Sequence, residues 1–238
     1  MKILAMQAEW RKIIFVNYLI DQEVLQPLLP KGTDLDLYNG ECYISLAGFL
    51  FLHTRVAGIP FPRHQFFEEF NLRFYVRRRE GPQIRRGVVF ISEFVKKPAF
   101  KWLANTFAHE KYSCLPMRSS VEKTPGDRLV ACYDFFDGKR WNQVSATGEN
   151  HTRPIASGSL SEFIAEHYFG YNKLSNSLTL EYGLEHPRWM AHPLISLEID
   201  CSFENFYPPQ FVPYLVRPYH SAQLIEGSPV ALWPKRIF

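Results

Sequence analysis

Polar and apolar positions alternate most regularly over Phe66 to Val95, FFEEFNLRFYVRRREGPQIRRGVVFISEFV, which predicts a strand, a turn at Glu80-Gly81-Pro82 and a second strand. Successive side chains of a strand point to opposite faces. Glu69, Asn71, Arg73 and Tyr75 therefore share one face, and Phe70, Leu72, Phe74 and Val76 share the other. A carboxylate, a carboxamide, a guanidinium and a phenol in a row suit the wall of a polar cavity, as inward residues do where a barrel encloses a ligand. An edge hairpin with a wet outer face alternates in the same way, so the pattern leaves both readings open.

The rest of the chain reads as further short elements. Residues 10–20, WRKIIFVNYLI, are rich in β-branched and aromatic residues and predict a strand. Asp21 is placed to cap a short helix, QEVLQPLLP, that Pro30 ends. Asn39-Gly40 predicts a hairpin turn pairing LDLY with ECYISLAGFLF, because both turn residues tolerate positive φ. Gly58, Pro60 and Pro62 mark TRVAGIPFPRH as a loop. A helix is expected from Pro98 to His109, followed by an extended turn at Pro116 that brings Glu110, Tyr112 and Arg118 beside the strands.

Asp137-Gly138 joins predicted strands at 128–136 and 140–148. Ser159 with Glu162 forms a capping box opening the helix LSEFIAEHYFGY. Later strands are expected at 176–184 and 195–202. Pro208, Pro209, Pro213, Pro218, Pro229 and Pro234 predict a C-terminal stretch that wraps the sheet or packs on its edge. The sum is one α+β domain over residues 1–238, mainly antiparallel.

Composition narrows the class. The 238 residues are 46% hydrophobic and 16% aromatic, with 20 Phe and 12 Tyr, enough for a large core. A net charge of +3 is too small to mark a nucleic-acid or membrane binder unless it is clustered. No run approaches the roughly 18 apolar residues that cross a bilayer, and Gln7, Glu9, Arg11 and Lys12 break any leader-like start. Cys42, Cys114, Cys132 and Cys201 are scattered, without CxxC pairs, and fit reduced thiols of a cytoplasmic protein.

Several chemical signals lead nowhere. The histidines match no metal-ligand spacing, so no metal or other cofactor is expected. Ser157-Gly158-Ser159 lacks a nucleophile elbow, and Cys114 near His109 has no orienting partner. Arg77, Arg78, Arg79, Arg85 and Arg86 cluster at the hairpin tip, which sets up a competing reading as a nucleic-acid or protein-interaction module. No aromatic stacking platform is interleaved with them, and a solvated turn is the usual meaning of such a run.

An early Trp, LLPKGTDLDLYNGECYISLAGF, EFNLRFYVRR, GVVFISEF, LPM, SLSEFIAEHYFGY and HPRW, in that order, resemble the DUF2071 (YqjF-like) family of uncharacterised bacterial proteins over most of the chain. That family is distantly similar to acetoacetate decarboxylase, which implies a partly open antiparallel β-barrel around a polar cavity, with a few peripheral helices. Acetoacetate decarboxylases form an imine on a lysine activated by a neighbouring lysine. At the matching stretch, CLPMRS, Met117 and Arg118 stand where that pair would be, and neither can form an imine; a shifted register would bring in Lys111 instead. Lys96-Lys97 precedes the expected helix and should be solvated.

The resemblance favours the cavity reading. Its candidate ligand-binding residues are Glu69, Asn71, Arg73, Tyr75, Glu110, Tyr112 and Arg118, a set suited to a small, carboxylate-bearing molecule gripped by Arg. A buried Glu–Arg network tying strand to loop is the structural alternative.

Overall fold

In the computed structural model the described residues are 5–60, 65–98 and 112–238. Four long strands are hydrogen-bonded in sequence: Ser221–Leu232, Met6–Ile20, Cys42–Val56 and Phe67–Glu80. Gln83–Val95, Phe169–Lys173 and Thr179–Glu185 continue the same sheet. Thr179–Glu185 returns to the first strand through Leu184 opposite Leu232 and Glu185 opposite Ala231. The ring so formed is a partly open barrel, because two of its seams are only two residue pairs long. One is this closure; the other is the parallel pairing of Phe169 with Gly87 and Gly170 with Val88. A second, four-stranded antiparallel sheet runs in the order Leu194–Asp200, Trp141–Glu149, Arg128–Phe136, Met117–Thr124.

The second sheet explains why the central strand is buried on both faces. Phe70, Leu72, Phe74 and Val76 belong to one core cluster with Leu129, Tyr133, Phe135 and Val144 of the second sheet. The other face turns into the barrel, where Tyr75 shares a cluster with Trp10, Phe15, Phe49, Phe51, Val88 and Phe90. Glu69, Asn71, Arg73 and Tyr75 are all buried, at 2%, 0%, 7% and 1% exposure. The strand faces are therefore as the alternation predicts, and the wet-edge reading does not hold.

Several elements differ from the sequence expectation. The Asn39-Gly40 turn forms, with Asn39 at φ 52° and Gly40 at φ 86°, but its hairpin stops at the single bridge from Tyr38 to Glu41. Asp34–Leu35 pairs instead with Arg77 and Val76, which buries Leu35 and carries Asp36 towards Arg86 and His167. Asp21 sits at the helix start without capping it; its carboxylate accepts the Tyr214 hydroxyl at 2.6 Å. Cys42–Val56 extends into the expected loop, turning at Ala57-Gly58 so that Ile59–Pro60 folds back on it.

The helix opened by Ser159 is only Leu160–Ala165. Its cap is real, since Ser159 Oγ accepts the Glu162 amide at 3.2 Å, but the following residues are claimed by the sheet, with Tyr168 N–H donating to Arg86 O at 3.1 Å. The C-terminal prolines were expected to exclude a central strand, yet Ser221–Leu232 pairs along Met6–Ile20 over most of its length. Pro229 is tolerated because it falls between the stretches, 224–225 and 231–232, where the strand's other edge is paired. The helix expected from Pro98 lies almost wholly outside the described residues, as do Glu110 and Lys111.

Candidate functional site

The barrel encloses a cavity of about 530 Å³, within the range of small-molecule sites. Trp10, Phe49, Phe51, Val88 and Phe90 give it an apolar wall. Glu69, Asn71, Arg73, Glu93, Tyr112 and His167 supply the polar groups. Leu232 to Lys235 and the Phe169–Lys173/Thr179–Glu185 hairpin border it at the weak seams of the ring.

Glu69 is the hub of one polar group. It accepts the Asn71 Nδ2–H at 2.9 Å and the Tyr112 hydroxyl at 2.7 Å. Tyr112 reaches it because Tyr112–Cys114 lies parallel to Gln83–Val95, with Tyr112 opposite Glu93. Tyr75 points inward but lies below the wall, donating to Ser45 Oγ at 2.6 Å, which in turn donates to Asn17 Oδ1 at 2.6 Å. Burial raises its phenol above the ordinary value, with Arg73 and Ser45 offsetting part of the rise.

Arg73 stands apart from the carboxylates. Its guanidinium carbon lies 4.5 Å over the Phe15 ring and 5.9 Å from the centre of the Tyr75 ring. Among the described residues it makes no ion pair, and its Nε has no acceptor. Among the described residues the alternative Glu–Arg network does not form at Arg73; Glu69 accepts from Asn71 and Tyr112.

Arg118 belongs elsewhere. Met117–Thr124 is a strand of the second sheet, so Met117 is buried between the sheets at 2% exposure and Arg118 faces outward. Arg118 Nε binds Asp134 at 2.7 Å, and the guanidinium lies 4.3 Å over Trp141. Neither of these two residues reaches the cavity.

Two cavity residues escaped the sequence. Ile91 is a bulge between the pairings Leu72–Ser92 and Arg73–Phe90. Counting by twos from Val88 and Phe90 would turn Ser92 inward, but the extra residue flips the strand and presents Glu93 instead. His167 follows the shortened helix, and its Nε2 lies 3.1 Å from Asp36 Oδ2, which also accepts Arg86 Nε at 2.6 Å. Burial pushes the imidazole down to about 4 despite the carboxylate beside it, with Arg86 and Arg73 adding to the depression. Burial alone would raise Asp36, but hydrogen bonds from His167 and Arg86 outweigh it and hold the carboxyl below its ordinary value.

The arginine tip is largely neutralised. Arg85 and Arg236 each approach Glu181 at 2.6 Å, Arg78 does so at 3.2 Å, and Arg86 is held by Asp36. Arg77 and Arg79 are exposed.

Comparison with known proteins adds the following. A model of the DUF2071 family, described as an uncharacterized conserved protein, matches residues 7–229. The uncharacterized protein YqjF of Bacillus subtilis is 31% identical over 241 residues, covering 97% of this chain and 91% of that protein. Among solved structures, an acetoacetate decarboxylase from Legionella pneumophila superposes with a TM-score of 0.64 at 15% identity, over 98% of this chain and 87% of its own. The enduracididine biosynthesis enzyme MppR, complexed with pyruvate, gives a TM-score of 0.64 at 13% identity, over 98% and 88%. At these identities the structural likeness speaks for the fold.

Proposed function

The chain belongs to the DUF2071 family and has the acetoacetate decarboxylase-like fold, and on that premise we propose that its barrel cavity takes a small molecule bearing a carboxylate, seated on Arg73. One observation carries this reading: a guanidinium only 7% exposed lines the cavity with no anionic partner among the described residues. A buried charge left unpaired costs several kcal/mol, and an incoming carboxylate that accepts from the planar fork relieves that cost. The apolar wall of Trp10, Phe49 and Phe51 suits a short carbon skeleton behind the anion. The pyruvate in the related MppR fold supplies the class of probe, a 2-oxo acid.

The test is a thermal-shift screen of small carboxylates, pyruvate among them, on the wild type and on Arg73→Ala and Arg73→Lys. A binder at about 100 times its Kd stabilises by about 2.7 kcal/mol. The response should vanish in Arg73→Ala and return little in Arg73→Lys, because an ammonium cannot reproduce the two-point grip. A response that survives Arg73→Ala overturns the assignment. The hairpin tip supports no second reading, since Glu181 and Asp36 already occupy most of its guanidinium groups.

A further inference from the structure

We propose that His167 is the proton acceptor of this cavity, with its Nδ1 taking a hydrogen from the carbon next to the carbonyl of a 2-oxo acid whose carboxylate sits on Arg73. This rests on the carboxylate reading above and adds a reaction to it.

The geometry begins at Asp36. Its Oδ2 accepts from Arg86 Nε at 2.6 Å and lies 3.1 Å from His167 Nε2. An ionised carboxylate can only accept, so Nε2 carries the imidazole hydrogen and Nδ1 carries the lone pair. His167 is 4% exposed and lines the cavity, and its Nδ1 has no partner among the described residues. A buried acceptor left without a donor is destabilising until a ligand supplies one.

Arg73 Nε likewise has no partner among the described residues. Tyr75 relates the two groups, with its ring centre 4.7 Å from that of His167 and 5.9 Å from the Arg73 guanidinium carbon. Both residues line one cavity, Tyr75 lies between them, and each holds a buried polar atom with no partner among the described residues.

The electrostatics run in the same direction. Burial keeps the ring neutral near pH 7, so the lone pair is available. Arg73 is among the charges that depress it; a substrate carboxylate on Arg73 cancels that charge and makes the base stronger when substrate is bound. Asp36, on the far side of the ring, stabilises the imidazolium as it forms.

In the step itself the α C–H bond breaks and its proton goes to Nδ1. The bonding pair becomes the new C=C while the carbonyl π pair moves onto oxygen, giving an enolate. Return of the proton restores the oxo acid, so no oxidant, reductant or co-reactant is consumed. The visible consequence is exchange of the α hydrogens with solvent.

The experiment is to follow loss of the pyruvate methyl proton signal in D2O by NMR, alongside the pyruvate-induced shift in Tm. The wild type should exchange faster than buffer. His167→Gln keeps a donor for Asp36 but has no basic nitrogen, and should lose at least about 100-fold of the rate while keeping the Tm shift. Should that variant fail to fold, Asp36→Asn, which alters a positioning residue, should lose at least about 10-fold at saturating pyruvate with the Tm shift retained.

A Tm shift without exchange overturns this proposal and leaves the binding reading standing. Exchange that persists in His167→Gln, or that is trapped by borohydride as a lysine adduct, also overturns it. No Tm shift with pyruvate and no exchange overturn it too, and if the wider carboxylate screen is likewise silent the binding reading falls with it.

Discussion

The guanidinium carbon of Arg73 lies 4.5 Å above the centre of the Phe15 ring. The ring fixes the guanidinium plane and contributes roughly 0.5–2 kcal/mol, but it brings no negative charge. If Arg73 serves a ligand, the empty protein bears the cost of burying it. Arg73→Met preserves the length of the side chain and removes the charge, so apo stability should be unchanged or rise by up to about 2 kcal/mol. Urea unfolding of the two empty proteins measures this. A fall of more than about 2 kcal/mol would make Arg73 a piece of scaffold.

Gly87 permits one of the two weak seams of the ring. A Cβ there would sit 2.5 Å from the Phe169 carbonyl oxygen and 2.6 Å from the Tyr171 ring. Backbone cannot yield as a flexible side chain does, so Gly87→Ala must push the parallel pairing of 87–88 with 169–170 apart. The expected loss is about 1–3 kcal/mol. It should be accompanied by faster hydrogen exchange of the Phe169–Lys173 amides, with Met6–Ile20 unaffected. Uniform loss of protection across both strands would count against this account.

The central strand was legible because alternation is a local property, and Glu69, Asn71, Arg73 and Tyr75 needed only a period of two. What lay beyond local pattern was lost. The bulge at Ile91 carries no turn residue, and it decides that Glu93 faces the cavity in place of Ser92. The helical period of LSEFIAEHYFGY is genuine, but pairing of Phe169 and Gly170 with Gly87 and Val88 outweighs propensity after Ala165, and this moves His167 from a helix face to the cavity wall. Arg118 was misplaced for a different reason. The turn at Pro116 was expected to bring it beside the strands together with Tyr112, whereas the chain crosses to the second sheet there.

Glu181 tests how the arginine tip is built. At 3% side-chain exposure it is shared by Arg78, Arg85 and Arg236, so Glu181→Gln would leave the three guanidinium groups without their buried anion. Removing one partner of a fully buried pair costs about 3–5 kcal/mol. The arginines keep 15%, 24% and 42% exposure, and solvent should reduce the loss to about 2–3 kcal/mol. Glu80→Gln, at a more exposed site beside the same arginines, should have the clearly smaller effect. Equal effects from the two variants would mean that burial of Glu181 does not matter.

His167 also makes a pH prediction. Its imidazole is pushed down from 6.5 to about 4 by burial. Between those values the unfolded chain binds a proton that the native protein refuses, so native stability must fall as pH drops from 6.5 towards 4. Above about pH 8 the ring is neutral in both states and contributes nothing to the slope. By pH 5 the loss from this one group is about 2 kcal/mol, at 1.36 kcal/mol per pH unit. Asp36, also held below its ordinary value, adds a loss of the same sign, but only as pH falls below 3.8. The two are therefore separable by pH window. Urea unfolding at pH 7 and pH 5 should show His167→Gln losing about 2 kcal/mol less than the wild type over that interval. An identical fall in both proteins would mean that His167 is protonated in the native state, and the Asp36–His167 pair would then be an ion pair.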